Sequence, residues 1–305
     1  MAIPSSGDID MKKVIMELQG TPYASAVASE LETWDWNATV NAWSANSNSA
    51  AQPSNKYSLT DWAGYDHFAV ASFTDDKSFD FDGTNDYLST TTNLSSAIPV
   101  TSASVSCWVK LDSMSANGFL FQINAESGTN DQIILLWNNA AGKIRGNVKL
   151  NGSANIVDSG SGLENDGNWH HVVFTWVSGS KTSSNNIARL YIDGSQTDSD
   201  AISTTWGDAS DPAHFTIGRN QIQSNAYFNG HINDYAIFNI ALSSSQVSAI
   251  YNSGSPKDES SHTGLVAYYK MEGYSDNDST LTDDSSNSYT LAINNSSNID
   301  STDTP

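Results

Sequence analysis

Asp82, Asn85 and Asp86 gather three oxygen-bearing side chains within five residues, with Gly83 among them. Several oxygens on one turn are what a hard cation such as Ca2+ requires. The same residue types also build turns unaided, through side-chain to main-chain hydrogen bonds. The spacing admits both roles. Asp276, Asn277 and Asp278, and the pair Asp283-Asp284, are acid-rich too, but they lack the Gly and Glu spacing of an EF-hand loop. His170 and His171 are adjacent on an expected strand, so their side chains point to opposite faces and are read as structural. Sugar contact needs an aromatic platform beside planar polar groups. The candidates are Trp137 with Asn138 and Asn139, Trp206 with Asp208, and Tyr227 with Asn225. Each Trp could equally be core or a loop anchor.

These residues hang on short alternating runs ended by Gly, Asn or Asp. Residues 104–111 point Val105, Cys107, Val109 and Leu111 to one side. Further strands are predicted over 119–123, 133–137, 144–150, 170–176, 188–193, 214–218 and 231–238. Asp193-Gly194 is a hairpin turn signal. One late helix is expected, with Ser243 or Ser244 as N-cap, Val247, Ile250 and Tyr251 on one side, and Gly254 as its stop. Many strands and one small helix predict an all-β chain: an antiparallel β-sandwich of jelly-roll type over residues 68–254.

Around that sandwich the chain is less regular. Residues 1–67 form a mostly irregular segment with a short amphipathic helix expected over 8–18. Trp34, Trp36, Trp43, Trp62 and Tyr65 stand there among small polar residues. Aromatics at that density with little aliphatic company either dock on the sandwich, a sister chain or a neighbouring protein, or make a small minicore. Residues 255–305 carry one apolar run, Leu265 to Met271, and read as a short C-terminal β extension. Fifty residues cannot form a second sandwich, so it is expected to pack on the first or on a sister chain.

A formal charge of −21 from 13 basic and 34 acidic residues argues against nucleic acid and against an anionic membrane surface. Cys107 is the only cysteine, so no disulfide can form within the chain. With no signal-peptide pattern at Met1 to Gly7, assembly in a reducing cytoplasm is expected.

Several motifs fall in a familiar order. Phe81-Asp82-Gly83-Thr84-Asn85-Asp86-Tyr87 opens the set, and Trp169-His170-His171-Val172 stands at its centre. Leu190-Tyr191-Ile192-Asp193-Gly194 follows. Phe228-Asn229-Gly230-His231-Ile232-Asn233-Asp234-Tyr235, then Ala241-Leu242-Ser243, closes it. The stretch resembles the laminin-G-like, concanavalin A-like jelly rolls. That resemblance implies the sandwich fold and calcium near the edge that carries Asp82, Asn85 and Asp86. Where the family usually has an acid on its closing strand this chain has Asn233, so a metal site using that position is altered or absent. Glucanases of this class set two glutamates and an aspartate at alternating positions on one strand. No such spacing occurs here, and the sandwich has only Glu126 and Glu164, so no enzyme is expected.

Ala2-Ile3-Pro4-Ser5-Ser6-Gly7 and Trp62-Ala63-Gly64-Tyr65-Asp66-His67 resemble segments of tail, fibre and appendage proteins of tailed bacteriophages. This implies a virion protein, commonly a trimer, whose first 67 residues attach to other virion proteins. The sandwich would then display a surface for host glycans. The alternative is a purely architectural decoration protein without a ligand site.

Overall fold

The computed structural model describes residues 73 and 75–305, apart from 91, 93, 95–96, 100, 125–130, 179–185, 203–214, 221–225, 273, 277 and 296–299. The helix expected over 8–18, the aromatics Trp34, Trp36, Trp43, Trp62 and Tyr65, and the sugar candidate Trp206 with Asp208 and Asn225 lie outside the described residues.

Two antiparallel sheets pack face to face. The first runs β10 (Ser195–Ala201), β9 (Ile187–Ile192), β8 (His170–Val177), β3 (Ser102–Leu111), β12 (Asn229–Phe238), β1 (Ser78–Asp82) and β16 (Asp300–Ser301), with β13 (Leu265–Tyr269) also on β12. The second runs β14 (Thr280–Leu281), β15 (Leu291–Asn294), β2 (Tyr87–Thr90), β11 (Phe215–Ile217), β4 (Gly118–Asn124), β5 (Gln132–Asn138), β6 (Lys143–Leu150) and β7 (Ser153–Asp158).

Period-two alternation explains the core. On β3, Val105, Cys107, Val109 and Leu111 join Phe81, Phe121, Phe174 and Trp176 between the sheets. Each such buried side chain contributes about 1.5–3 kcal/mol. The opposite face of β8 is buried as well: Val173 packs with Phe238, Val247, Ile250 and Tyr268. The cover there is α1 (Ser244–Tyr251), the one helix among the described residues. It starts at a capping box, in which the Gln246 side chain accepts from Ser243 N at 3.0 Å. Its stop is Asn252, left-handed at φ 49°, rather than Gly254 two residues on. Asn tolerates that conformation, so the helix ends before the glycine is reached. No helix among the described residues is long and apolar enough to cross a membrane.

β12 organises the C-terminal residues. On one side it pairs with β3 along its length. On the other, its first half takes β1, with Phe79 opposite Ile232, and its second half takes β13, with Tyr235 opposite Tyr269. The two halves meet at an irregularity in the pairing with β3, where Asp234 adopts φ +47°. β15 then pairs with β2 in the other sheet, and β16 with β1. The last fifty residues are therefore strands of the same two sheets, and residues 75–305 form one compact unit.

Candidate functional site

The turn after β1 is held by its own carboxylates. Asp82 Oδ1 accepts from Thr84 N at 2.7 Å and Asn85 N at 3.3 Å. Asp86 Oδ2 accepts from Asp82 N at 3.0 Å. Asn295 Nδ2 donates to both Asn85 Oδ1 and Asp86 Oδ1 at 2.7 Å, placing an amide group between the two oxygens that a cation would share. Asp82, Asn85 and Asp86 as arranged therefore do not fit a Ca2+ ion that needs six or more free oxygens. Among the described residues, no group of three or more His, Cys, Asp and Glu is placed to hold a metal. Asn233 is fully buried. Its Nδ2 donates to Asp75 Oδ1 and its Oδ1 accepts from Asp234 N at 2.7 Å. An acid here would set two carboxylates against each other, which accounts for the amide.

Beside this turn lies a cavity of about 320 Å³, lined by Asp82, Gly83, Ser113, Met114, Tyr227 and Asn229, with Ser115, Ala116 and Ala226. Three segments converge there: the turn after β1, the β3–β4 loop, and the approach to β12. Each is fixed from behind. Asn229 Nδ2 donates to Ser113 O at 3.0 Å, and Met114 N donates to Glu164 Oε1 at 2.8 Å. Asn139 Nδ2 donates to Ser115 O at 3.1 Å, and Asn139 N to Asn117 Oδ1 at 3.0 Å. Gly83 stands at φ +73°, and a Cβ there would fall 2.9 Å from Asn229 Cβ. Only glycine lets the turn and β12 approach this closely. The cavity is at the small end of ligand sites, which span about 300–1,000 Å³. It offers a carboxylate, an amide and hydroxyls beside a half-buried Tyr227 ring.

Of the residues singled out for sugar contact, Tyr227 lines this cavity, and Asn139 braces its wall from outside. Asp82, singled out for a metal, also lines it. Trp137 does not belong there. It is 1% exposed and its ring lies in the core between the sheets, because its position on β5 points inward with Ile133 and Leu135. A ring without an open face cannot be a sugar platform. Ser113, Met114 and Asn229 were not marked in the sequence, since nothing local in it brings the β3–β4 loop against the start of β12.

Residues 82–248 match the family described as the concanavalin A-like lectin/glucanases superfamily. The chain belongs to that superfamily. A candidate carbohydrate-binding protein of Bacteroides ovatus has the same fold with a TM-score of 0.53 and 16% identity, over 75% of this chain and 60% of that one. The heptameric SAP-like pentraxin of Limulus polyphemus aligns with a TM-score of 0.46 and 18% identity, over 59% of this chain and 84% of that one. No curated protein sequence matches this chain. Superfamily membership supplies the sandwich, while the cavity is built from this chain's own loops.

Proposed function

We propose that this chain is a non-catalytic structural protein of a tailed-bacteriophage particle, a fibre or appendage subunit. Its sandwich adheres to glycans on the host surface through the cavity beside Asp82 and Tyr227. The observation that carries the glycan reading is that cavity: an aromatic ring beside fixed hydroxyl, amide and carboxylate groups, on a fold shared with a candidate carbohydrate binder. The resemblance of residues 2–7 and 62–67 to phage appendage proteins supports the virion setting. Glu164, one of the sandwich's two glutamates, holds the β3–β4 loop through Met114 N, which favours binding over hydrolysis. Weak single sites become useful when repeated on one particle.

The test is binding of the full chain to a panel of bacterial surface polysaccharides, with Tyr227→Ala and Asn229→Ala beside the wild type. Saturable binding that falls at least ~10-fold in both variants, about 1.4 kcal/mol, is expected. Chelator is expected to leave binding unchanged, because the turn oxygens are already engaged. Equal binding by wild type and variants would place the glycan elsewhere. No binding to any host envelope would favour the decoration role.

A further inference from the structure

A second cavity, of about 330 Å³, opens between α1 and the loop leading to β13. It lies along the half of β12 away from the glycan cleft, and its lining includes Gln246, Lys257, Asp258, Glu259, Ser261 and His262. Glu259 is the unusual member. It is only 4% exposed, and its buried Oε1 has no hydrogen-bond partner. The nearest cation, Lys257 Nζ, stands 4.0 Å away, beyond hydrogen-bond reach, on a side chain 37% exposed. Oε1 therefore has a charge nearby but lacks a donor, which is a costly state for a buried carboxylate oxygen. The hydroxyls of Ser261 and Thr263 and the amide of Gln246 also line the cavity, and none of them is bonded to Oε1. His262 Nδ1 donates to Thr263 O at 3.1 Å.

The loop is held rigidly behind this carboxylate. The Tyr268 hydroxyl donates to Asp234 Oδ1 at 2.6 Å and lies 3.2 Å from Lys257 O. Burial pushes the Glu259 carboxyl up to about 7, against the pull of Lys257 and with the push of Asp258. Asp234, across the Tyr268 hydroxyl, and His262 are the other titratable groups beside it.

We propose that this cavity binds a primary ammonium group, with the Glu259 carboxylate as its anion and directed N–H donors supplying what Oε1 lacks. A metal fits less well. Of the two carboxylates in the lining only Glu259 is buried, Asp258 being engaged by Lys270 Nζ at 3.5 Å and Ser260 N at 2.8 Å, and among the described residues no cluster of three metal-ligating side chains exists. A lysine side chain, a free polyamine and a deacetylated amino sugar all present the required group.

Calorimetric titration of the full chain above neutral pH, where Glu259 is ionised, tests this. The probes are N-acetyl-lysine methylamide, putrescine and glucosamine, with butanol and N-acetylglucosamine as uncharged controls. Ligands this small are expected in the millimolar range. The ammonium probes are expected to saturate and the controls to show nothing, and the tightest probe names the source. Glu259→Gln, which keeps shape and fold, is expected to weaken binding at least ~10-fold. Lys257→Met, which removes the competing cation, is expected to leave it equal or tighter. Failure of the wild type to bind any ammonium probe would overturn the proposal, as would Glu259→Gln titrating like the wild type. Tyr227→Ala, in the other cavity, is expected to leave ammonium binding unchanged, so failure of the glycan reading is distinguishable from failure here.

Discussion

His170 and His171, adjacent in sequence, have opposite electrostatic fates. His171 is 1% exposed, paired through Nε2 with Ser106 Oγ at 2.9 Å and stacked near Tyr251. Burial holds it neutral by pushing its pKa down to about 3. His170 sits between Asp193 at 2.9 Å and Asp166 at 3.0 Å, and these partners raise its pKa. A raised folded-state pKa means stability that is fully present below the unfolded value of about 6.5. That contribution is lost as pH rises through the folded value. In thermal melts across this range, His170→Gln is expected to be less stable than wild type in mild acid, by on the order of 1 kcal/mol because the partners are partly exposed. The gap is expected to close toward alkaline pH, and a gap independent of pH would show that the bridge carries no charge. Asp283 shows how a carboxylate that looks like a ligand can be structural instead. It accepts from Tyr268 N, Ser285 N and Tyr289 N at 2.7–2.9 Å.

At the scale of elements, the C-terminal strands decide whether the sandwich closes. Without β13 and β15, the second half of one side of β12 and one side of β2 would lose their partners. Tyr268, Tyr269, Met271, Tyr274, Leu281, Leu291 and Ile293 would leave the interior. At about 1.5–3 kcal/mol each, these seven match or exceed a typical net stability of ~5–15 kcal/mol. A chain ending at residue 254 is therefore expected to lose its near-ultraviolet circular dichroism and its cooperative melt. A melt within a few degrees of the full chain would contradict this. The edge strand β10 closes another gap: Asp200 Oδ2 accepts from Ile156 N at 3.1 Å and Asp198 Oδ2 from Asp158 N at 3.0 Å. Carboxylates on an edge also discourage pairing with a second copy.

For the whole molecule, charge and assembly are linked. Bringing together several chains of −21 is opposed by long-range repulsion, which salt screens. If the chain is a trimer, as the phage resemblance implies, light scattering is expected to give three times the 32.8 kDa chain mass at physiological salt. The mass is expected to fall toward one chain as salt is removed. One chain mass at every ionic strength would exclude the trimer.

The sequence alone determined the sandwich, because alternation on β3 and β8 and the Asp193-Gly194 turn are local patterns. Asp193 and Gly194 do take φ +50° and +74°, the backbone a two-residue hairpin needs. The sequence also carried Tyr227 and Asp82, two of the cavity's residues. It could not show β10, Ser195 to Ala201, which has no large apolar residue and is a strand only because β9 offers it an edge. The inward turn of Trp137, the placing of β13 end to end with β1, and the meeting of Ser113 with Asn229 were decided only in the tertiary structure. Each depends on contacts between residues far apart in the chain, where packing and hydrogen bonding outweigh what any local pattern can encode.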